Sequence, residues 1–233
     1  MRLLLVGHGK MGQLVGTLAP QYGAEVAGVI DPGSPLHGGG ADAAGWAGVD
    51  VAIDFSTPDS VVNNAVALAG RGISLVIGTT GWAAREAELR QAVAAAGVGI
   101  VVAPNFSTGV VLFEALVAQA AKLFAPQQEF AAFLHEAHHS AKKDAPSGTA
   151  LSLKKTMEQA GFPRPIDVSA TRAGFIPGTH TIGFDGPAET ITLTHTARDR
   201  TAFARGALAA AQWVHGKRGW FTMKDVLGIT GTA

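Results

Sequence analysis

The sequence predicts an α/β fold in two domains: an N-terminal Rossmann-like, doubly wound parallel sheet, followed by a second α+β domain. Over the first hundred residues, short apolar runs alternate with helical patterns, as in strands covered on both faces. After Pro104, apolar residues alternate with polar ones in strands that pair locally, which indicates an antiparallel sheet. A chain of 233 residues, 47% of them apolar and 15% charged, is long enough to bury both cores.

In the first domain, residues 1–105, we expect five strands and three helices. The predicted strands are Arg2–Val6, Glu25–Ile30, Val51–Phe55, Ser74–Ile77 and Ile100–Ala103. The predicted helices lie near Lys10–Gln21, Asp59–Gly70 and Ala83–Ala96. Residues 32–48, rich in glycine, proline and alanine, are expected to form irregular loop. Strand, helix and strand at this spacing predict parallel pairing.

The second domain is predicted to span residues 106–215. Its elements are a helix over Val110–Phe124, a strand over Glu129–Glu136, a helix ending near Ala160, two strands within residues 178–196 and a helix over about Arg200–His215. Asp185-Gly186 is a turn signal between the two strands, which predicts a hairpin.

Composition excludes several classes of protein. The 18 basic and 18 acidic side chains give no net charge, so we expect no nucleic-acid partner. The chain has no cysteine, which removes disulfides and thiolate chemistry and suits a reducing compartment. Its longest apolar runs fall short of the ~20 residues that cross a bilayer, and the first is too short for a signal peptide. We expect a soluble, cytoplasmic protein without membrane contact.

A glycine-rich loop follows the first predicted strand. Residues 7–12 read Gly7-His8-Gly9-Lys10-Met11-Gly12, a G-x-G-x-x-G between a strand and a helix. Glycines at this point let the chain turn tightly and let backbone N–H groups approach a pyrophosphate. Asp31 ends the second strand 19 residues after Gly12, where a carboxylate can hold ribose hydroxyls. The alternative is that the glycines merely terminate a strand; a dinucleotide site is the better interpretation.

Asp31 also bears on the choice of dinucleotide. A carboxylate repels a 2′-phosphate, and no lysine or arginine follows Asp31 until Arg71. Lys10 could still reach a phosphate. We expect NADH to be at least as good a cofactor as NADPH.

Two more strand ends carry polar turns that could border a nicotinamide. They are Gly78-Thr79-Thr80-Gly81 and Pro104-Asn105-Phe106-Ser107; Asp54-Phe55-Ser56-Thr57-Pro58 is similarly placed but less distinctive. In open α/β sheets, ligands bind outside the carboxyl ends of the strands. Ordinary turn chemistry remains the alternative.

The most unusual stretch of the chain, residues 136–150, reads EAHHSAKKDAPSGTA. Pro146 and Ser147 signal a helix start. A helix capped at Ser147 leaves the backbone N–H groups of Gly148 and Thr149 unpaired, and such groups attract an anion. Charged hydrogen bonds from nearby side chains would let this site hold a small dicarboxylate.

His138 is the candidate proton donor in this stretch, beside His139 and Lys142. The positive charge of Lys142 disfavours the imidazolium form, which helps His138 release a proton near neutral pH. Two alternatives stay open: a metal site, for which adjacent histidines without matched ligands are a poor pattern, and a solvated loop without a role. We expect no metal.

The sequence resembles the 4-hydroxy-tetrahydrodipicolinate reductase family, also called dihydrodipicolinate reductases, of lysine and diaminopimelate biosynthesis. The family signature E-x-H-H-x-x-K-x-D-x-P-S-G-T-A is matched at Glu136, His138, His139, Lys142, Asp144, Pro146, Ser147, Gly148, Thr149 and Ala150. The resemblance extends to the glycine loop and to residues 78–81, 105–107, 172–174 and 221–227.

The resemblance implies an oxidoreductase that transfers hydride from NADH or NADPH to C4 of a cyclic dicarboxylate and yields tetrahydrodipicolinate. It implies that His138 is the proton donor and acceptor, and that Lys142 donates a proton and stabilises charge. The implied substrate-binding residues are His139, Gly148 and Thr149. The implied cofactor-binding residues are Gly7, His8, Gly9, Lys10, Met11, Gly12, Asp31, Gly78, Thr79, Thr80, Ala103, Pro104, Asn105 and Phe106. It also implies a homotetramer formed through second-domain sheets, and a tail, about residues 216–233, that returns to the first domain.

Two rival functions share part of this pattern. Another two-domain dehydrogenase, for an amino acid or a sugar, has the same first domain but no reason to keep the His-His-x-x-Lys cluster. A redox sensor would bind the dinucleotide without needing a proton donor.

Overall fold

The computed structural model describes residues Met1–Ile229, which form two compact units. Among the described residues, the first unit comprises 1–108 and 201–229, and the second comprises 109–200. Residues 230–233, the end of the predicted tail, lie outside the described part. Among residues 1–229, no helix combines the length and the apolar character that crossing a membrane requires.

The first unit contains a six-stranded sheet in which every pairing is parallel, in the order β10-β5-β4-β3-β1-β2. Its strands are β1 (Arg2–Val6), β2 (Glu25–Ile30), β3 (Val51–Asp54), β4 (Ser74–Ile77), β5 (Gly99–Val102) and β10 (Gly219–Phe221). Every residue of β3 and β4 is buried, as the apolar runs predict for central strands. The Rossmann-like fold is confirmed, with β10 as an additional edge strand from the tail.

The helices of this unit are α1 (Lys10–Leu18), α2 (Pro58–Ala69), α3 (Glu86–Ala96), α6 (Thr201–Val214) and α7 (Met223–Val226). The α-helix α1 ends before its predicted end at Gln21, and the chain continues as a 3₁₀ turn over Ala19–Tyr22. Pro20 explains the change, because it lacks the N–H that an α-helical bond needs.

Residues 32–48 form the irregular loop that was expected, with one 3₁₀ turn at Ala44–Trp46. The indole of Trp46 is buried against Gly28 and Gly38, where any side chain would overlap its ring. The loop is therefore anchored on β2 by one aromatic residue.

Helix α6 belongs to the first unit, whereas the sequence analysis expected it in the second domain. It packs against α1, β4 and β5 of the first unit. Small residues permit this approach: a Cβ on Gly206 would overlap the backbone carbonyl of Phe106. The alanine-rich pattern predicted a helix correctly but did not show which sheet it covers.

The second unit contains a four-stranded mixed sheet in the order β7-β6-β8-β9. Its elements are α4 (Thr108–Phe124), β6 (Ala131–His138), α5 (Gly148–Gln159), β7 (Ile166–Arg172), β8 (Thr179–Asp185) and β9 (Thr190–Thr196). The expected hairpin of β8 and β9 is confirmed. The expectation of a wholly antiparallel sheet is wrong, because β7, which the sequence analysis missed, pairs with β6 in parallel through the α5 crossover.

Strand β6 begins and ends two residues later than predicted, so His138 is its last residue. Its buried positions alternate along the strand. The first two, Ala132 and Leu134, join the apolar core with residues of α4, α5 and β8. The next two, Glu136 and His138, continue the same buried face as polar groups. The strand thereby carries both side chains from the core to the end of the sheet.

Candidate active site

The glycine loop of the first unit forms a cradle that side chains would fill. Gly7 follows β1 with a φ of 87°, and a Cβ there would lie 2.5 Å from the carbonyl oxygen of Phe55. A Cβ on Gly12 would overlap the carbonyl oxygen of Gly7. Gly9, in contrast, faces open space at the start of α1. Two glycines therefore allow close packing, and the third leaves room for a pyrophosphate beside a helix N-terminus.

A cleft of about 590 Å³ adjoins this loop. It brings together Gly7, Gly9 and Asp31 of the predicted cofactor residues, and it is also lined by Ile30, Pro32, His37, Gly40, Phe55, Ser56, Thr57, Ser60 and Asn64. The other predicted residues of the glycine loop, His8, Lys10, Met11 and Gly12, lie in the loop and the first turn of α1. Ser56 and Thr57 belong to the turn judged less distinctive, although it contributes directly to the cleft.

Asp31 is an anionic group at the end of β2. One carboxylate oxygen accepts the backbone N–H of His8 at 2.6 Å, and the other accepts that of Gly33 at 2.9 Å. These two hydrogen bonds lower the pKa of Asp31. Two histidines lie beside it: Nδ1 of His37 accepts the Asp31 N–H at 3.1 Å, and Nδ1 of His8 lies 2.8 Å from Oγ of Ser34.

Hydrogen bonds and a contact between aromatic rings join the C-terminal ends of β3, β4 and β5 in the first unit. Oδ1 of the buried Asp54 accepts hydrogen bonds from Oγ of Ser56 and Oγ of Thr79, both at 2.7 Å. Burial raises the pKa of Asp54. The rings of Phe55 and Phe106 meet edge to face, with centroids 6.1 Å apart. The other predicted residues of these strand ends, Gly78, Thr80, Ala103, Pro104 and Asn105, flank these contacts along the chain.

A buried carboxylate organises the second unit. Glu136 is fully buried, and its oxygens accept hydrogen bonds from both terminal nitrogens of Arg172, at 2.6 and 3.0 Å. Oε1 also accepts the backbone N–H of Ser147 at 3.1 Å, and Oε2 accepts Nδ1 of His138 in a very short hydrogen bond. Burial alone disfavours the charge, but Arg172, His138 and Ser147 together hold the pKa of Glu136 below its usual value. Glu136 is therefore ionised and fully partnered.

His138 is oriented by this carboxylate. Because Nδ1 donates to Glu136, Nε2 is the nitrogen left to exchange a proton. Gly178 flanks Nε2, and a Cβ on that residue would lie 3.1 Å from it. Burial lowers the pKa of His138, Glu136 opposes the shift, and the charges of Lys142 and Arg172 add to it. The effect expected from Lys142 is confirmed in direction, with burial as the larger cause.

The N-terminus of α5 lies beside this group. Ser147 is the N-cap, as predicted, and its Oγ accepts the N–H of Ala150 at 3.2 Å. Gly148 and Thr149 are the first two residues of the helix. Lys142 makes an ion pair of 2.8 Å with the exposed Asp144. The backbone carbonyl of His139 accepts the backbone N–H of Lys142 and so closes the turn that precedes Lys142. A helix end and a lysine thus converge on one place that suits a carboxylate.

Glu136, His138 and His180 also form a group whose ligand atoms lie within 4.8 Å of one another. The spacing suits a cation. However, the guanidinium of Arg172 already contacts both oxygens of Glu136. A metal ion would have to displace that positive charge, so the arrangement favours a proton-transfer site over a metal centre.

Four residues of this site received no functional role from the sequence. Glu136 and Arg172 were seen only as matches to family segments, and His180 on β8 and Gly178 were not considered. A signal for Glu136 was present, because it falls on the apolar face of an alternating strand, where an unpaired carboxylate is costly. The pairing of Arg172 with it depends on β7, which was not predicted.

Comparison with known proteins identifies similar chains. Family models described as dihydrodipicolinate reductase, N-terminus and C-terminus, match residues 1–106 and 109–227 respectively. The chain is 33% identical to a 4-hydroxy-tetrahydrodipicolinate reductase of Christiangramia forsetii, over 97% of this chain and 98% of the relative. It is 37% identical to one of Methanoregula boonei, over 96% of each chain.

Among solved structures, the chain is similar to a dipicolinate-bound dihydrodipicolinate reductase of Paenisporosarcina sp. TG-14, with a TM-score of 0.82 and 23% identity over 95% of this chain and 97% of that one. A myo-inositol dehydrogenase of Corynebacterium glutamicum is less similar, with a TM-score of 0.58 and 12% identity over 94% and 90% of the two chains. These structures share the fold.

Acid should destabilise the protein partly through His180. Burial lowers the pKa of His180 to about 4, whereas an unfolded histidine titrates near 6.5. The unfolded chain therefore binds a proton first as the pH falls, and the unfolding free energy should drop by at most about 3 kcal/mol between pH 6.5 and 4. Urea denaturation at pH 7, 6, 5 and 4 measures this loss. His180→Gln should flatten the dependence, while His37→Gln, an exposed control, should not; equal slopes in all three proteins would refute the assignment.

Proposed function

The chain belongs to the dihydrodipicolinate reductase family, and from this we propose that His138 and Lys142 perform its proton chemistry while the glycine loop holds its cofactor. Its activity is the NAD(P)H-dependent reduction of 4-hydroxy-tetrahydrodipicolinate to tetrahydrodipicolinate in lysine and diaminopimelate biosynthesis. The observation that carries the proposal is the hydrogen bond from Nδ1 of His138 to the buried Glu136.

That hydrogen bond supports Nε2 of His138 as the proton donor. The substrate loses its 4-hydroxyl group as water, hydride then brings an electron pair to the conjugated ring at C4, and a proton must follow to neutralise the charge. Glu136 keeps the Nδ1 proton in place, so the ring loads and releases its other proton at Nε2. Burial and the charges of Lys142 and Arg172 lower the pKa of His138, which favours release to the substrate.

The substrate carboxylate is proposed to bind at the start of α5. The N–H groups of Gly148 and Thr149 precede the first hydrogen bonds of the helix, and Lys142 supplies a full positive charge nearby. The carboxylate would replace Asp144 as the partner of Lys142. His139, half-buried in the turn before Lys142, is the remaining proposed contact.

When bound, NAD(P)H supplies the hydride. The cradle of Gly7, Gly9 and Gly12 fits a pyrophosphate, and Asp31 fits the ribose hydroxyls. The strand ends at Thr79 and Phe106 are proposed to border the nicotinamide, since ligands of open sheets bind at that edge. We also propose a cytoplasmic location, which the lack of cysteine and the use of a nicotinamide nucleotide support.

Replacing His138 tests the proton donor. His138→Ala should lower kcat by about 10²- to 10⁴-fold with little change in the KM of the substrate, because a positioned acid acts in the transition state. Lys142→Ala should raise KM as well as lower kcat, since it serves binding and chemistry. His135→Ala, on the same strand and bonded to Ser169 at 2.9 Å, is the control. Steady-state kinetics with the enzymatically condensed substrate give these values. A loss for His138→Ala confined to KM would mean that it only binds substrate.

Cofactor preference tests the role of Asp31. NADH should give a kcat/KM at least equal to that of NADPH, because the ionised Asp31 repels a 2′-phosphate. Asp31→Ala should shift the ratio towards NADPH, while Glu25→Ala, at the other end of β2, should leave it unchanged. Initial rates with both nucleotides decide the point. A wild-type preference for NADPH above tenfold would contradict this account of Asp31.

The oligomeric state is proposed to be a homotetramer formed through the second sheet. The apolar core of the unit includes α4 and α5 residues, whereas β9 is an edge strand with five exposed residues. Sedimentation equilibrium should give about four times the chain mass of 23.8 kDa. Thr194→Lys, on β9, should reduce the assembly, while Asp59→Lys, on α2, should not. A monomer at micromolar concentration would exclude the proposal.

A further inference from the structure

His180 is a buried titratable group that the mechanism above does not use. It lies on β8 with 5% of its surface exposed. Its Nε2 is 3.1 Å from Oγ of Ser147, and its ring meets the ring of His138 edge to face at 5.1 Å between centroids. Within the described residues, its Nδ1 is buried without a hydrogen-bond partner. Among the described residues, the buried ring of His180 therefore has a hydrogen-bond partner at one nitrogen and none at the other.

The hydrogen-bond partners of the two ring nitrogens assign the tautomer of His180. Burial lowers its pKa to about 4, so the ring is neutral near pH 7 and carries one N–H. If the proton were on Nδ1, a donor would be buried without an acceptor in this part of the chain, and orphaned N–H groups are rare. With the proton on Nε2, the ring donates to Oγ of Ser147, and the unpaired atom is an acceptor nitrogen instead of an N–H donor.

Ser147 is therefore held from three sides. Its N–H donates to Oε1 of Glu136, its Oγ accepts the N–H of Ala150, and the same Oγ accepts Nε2–H of His180. The third bond fixes the rotamer of the capping hydroxyl, so that it stays directed at Ala150. The N–H groups of Gly148 and Thr149 then keep their direction, so that an external anion can take the place of the Asp144 carboxylate, which the Gly148 N–H contacts.

We propose that His180 is a positioning residue that fixes the Ser147 cap and thereby aims the first N–H groups of α5 at the substrate carboxylate. This inference rests on the proposed function, because it presumes that the carboxylate binds at Gly148 and Thr149. It extends that function by one residue on a different strand. His180 contributes to substrate affinity through Ser147 and takes no part in proton transfer.

Binding of pyridine-2,6-dicarboxylate to the NADH-loaded enzyme measures this role. His180→Leu should raise the inhibition constant about five- to tenfold, the fold-change expected when the free energy of a typical N-cap interaction is lost from carboxylate binding. The KM of NADH should not change, and kcat should change less than the inhibition constant. His180→Gln, which retains an N–H donor, should recover much of the affinity. His195→Leu is the matched control. His195 lies opposite His180 in the pairing of β8 with β9, but its ring packs against the ring of Phe113.

A double-mutant cycle tests the path through Ser147. Ser147→Ala should weaken dicarboxylate binding to a similar degree, and adding His180→Leu to it should cost little more. Losses that multiply would overturn the proposal, as would an unchanged inhibition constant in His180→Leu or an equal loss in His195→Leu. A fall in kcat alone would also overturn it, because His180 would then act on His138. Should His180→Leu not fold, His180→Asn, which is too short to reach Ser147, takes its place.

Gly148→Pro separates this inference from the function on which it rests, because it removes one of the two proposed N–H donors at the first position of α5, where proline is favoured and an added Cβ meets nothing within 4 Å. If this change leaves dicarboxylate binding intact, the proposed carboxylate site is wrong. If Gly148→Pro weakens binding and His180→Leu does not, the site stands and only the role of His180 fails.

Discussion

The second unit depends on one buried charge, the carboxylate of Glu136. An unpartnered carboxylate at a fully buried position would be strongly destabilising, so its partners are obligatory. They come from three elements: Arg172 ends β7, Ser147 begins α5, and His138 ends β6. The charge therefore fixes where two strands and a helix meet, and the orientation of His138 follows from the same contacts. The packing of this unit and the proton chemistry proposed for His138 rest on the same carboxylate, which explains why these polar residues continue the core face of β6.

The first unit reaches its binding geometry by the opposite means, with small residues and backbone. The carbonyl of Phe55 lies where a side chain on Gly7 would be, and the ring of Phe55 lies where one on Gly78 would be. Gly206 similarly admits the carbonyl of Phe106. Close backbone approach leaves N–H groups and one carboxylate, Asp31, at the edge of the sheet. Such a surface suits a ligand recognised by its phosphates and sugar, whereas the second unit suits a ligand on which a proton must move.

Much of this could be predicted from the sequence, because the signals were local. The glycine loop, the cap at Ser147 and the buried runs of β3 and β4 each depend on residues adjacent in the chain. What could not be predicted depends on contacts between distant segments. The strand β7 has mixed burial, and its parallel pairing with β6 depends on the crossover through α5, so the pairing was missed, and the partnership of Arg172 with Glu136 was missed with it. The helix α6 was predicted as a helix but placed in the second domain, since small residues permit close packing without specifying a partner.

His138 and His180, whose rings are in contact, have different environments, and these explain why their proposed roles differ. Both are buried, and burial lowers the pKa of each. His138 has a carboxylate on Nδ1, which offsets part of that shift, although the net shift of its pKa is still downward. His180 has no directly bonded carboxylate among its described contacts, only a serine hydroxyl, and it feels the charge of His138 as a further penalty. One ring can therefore gain and lose a proton while its neighbour stays neutral. Adjacent imidazoles with equal environments would compete for the same proton, and the position of Glu136 prevents this.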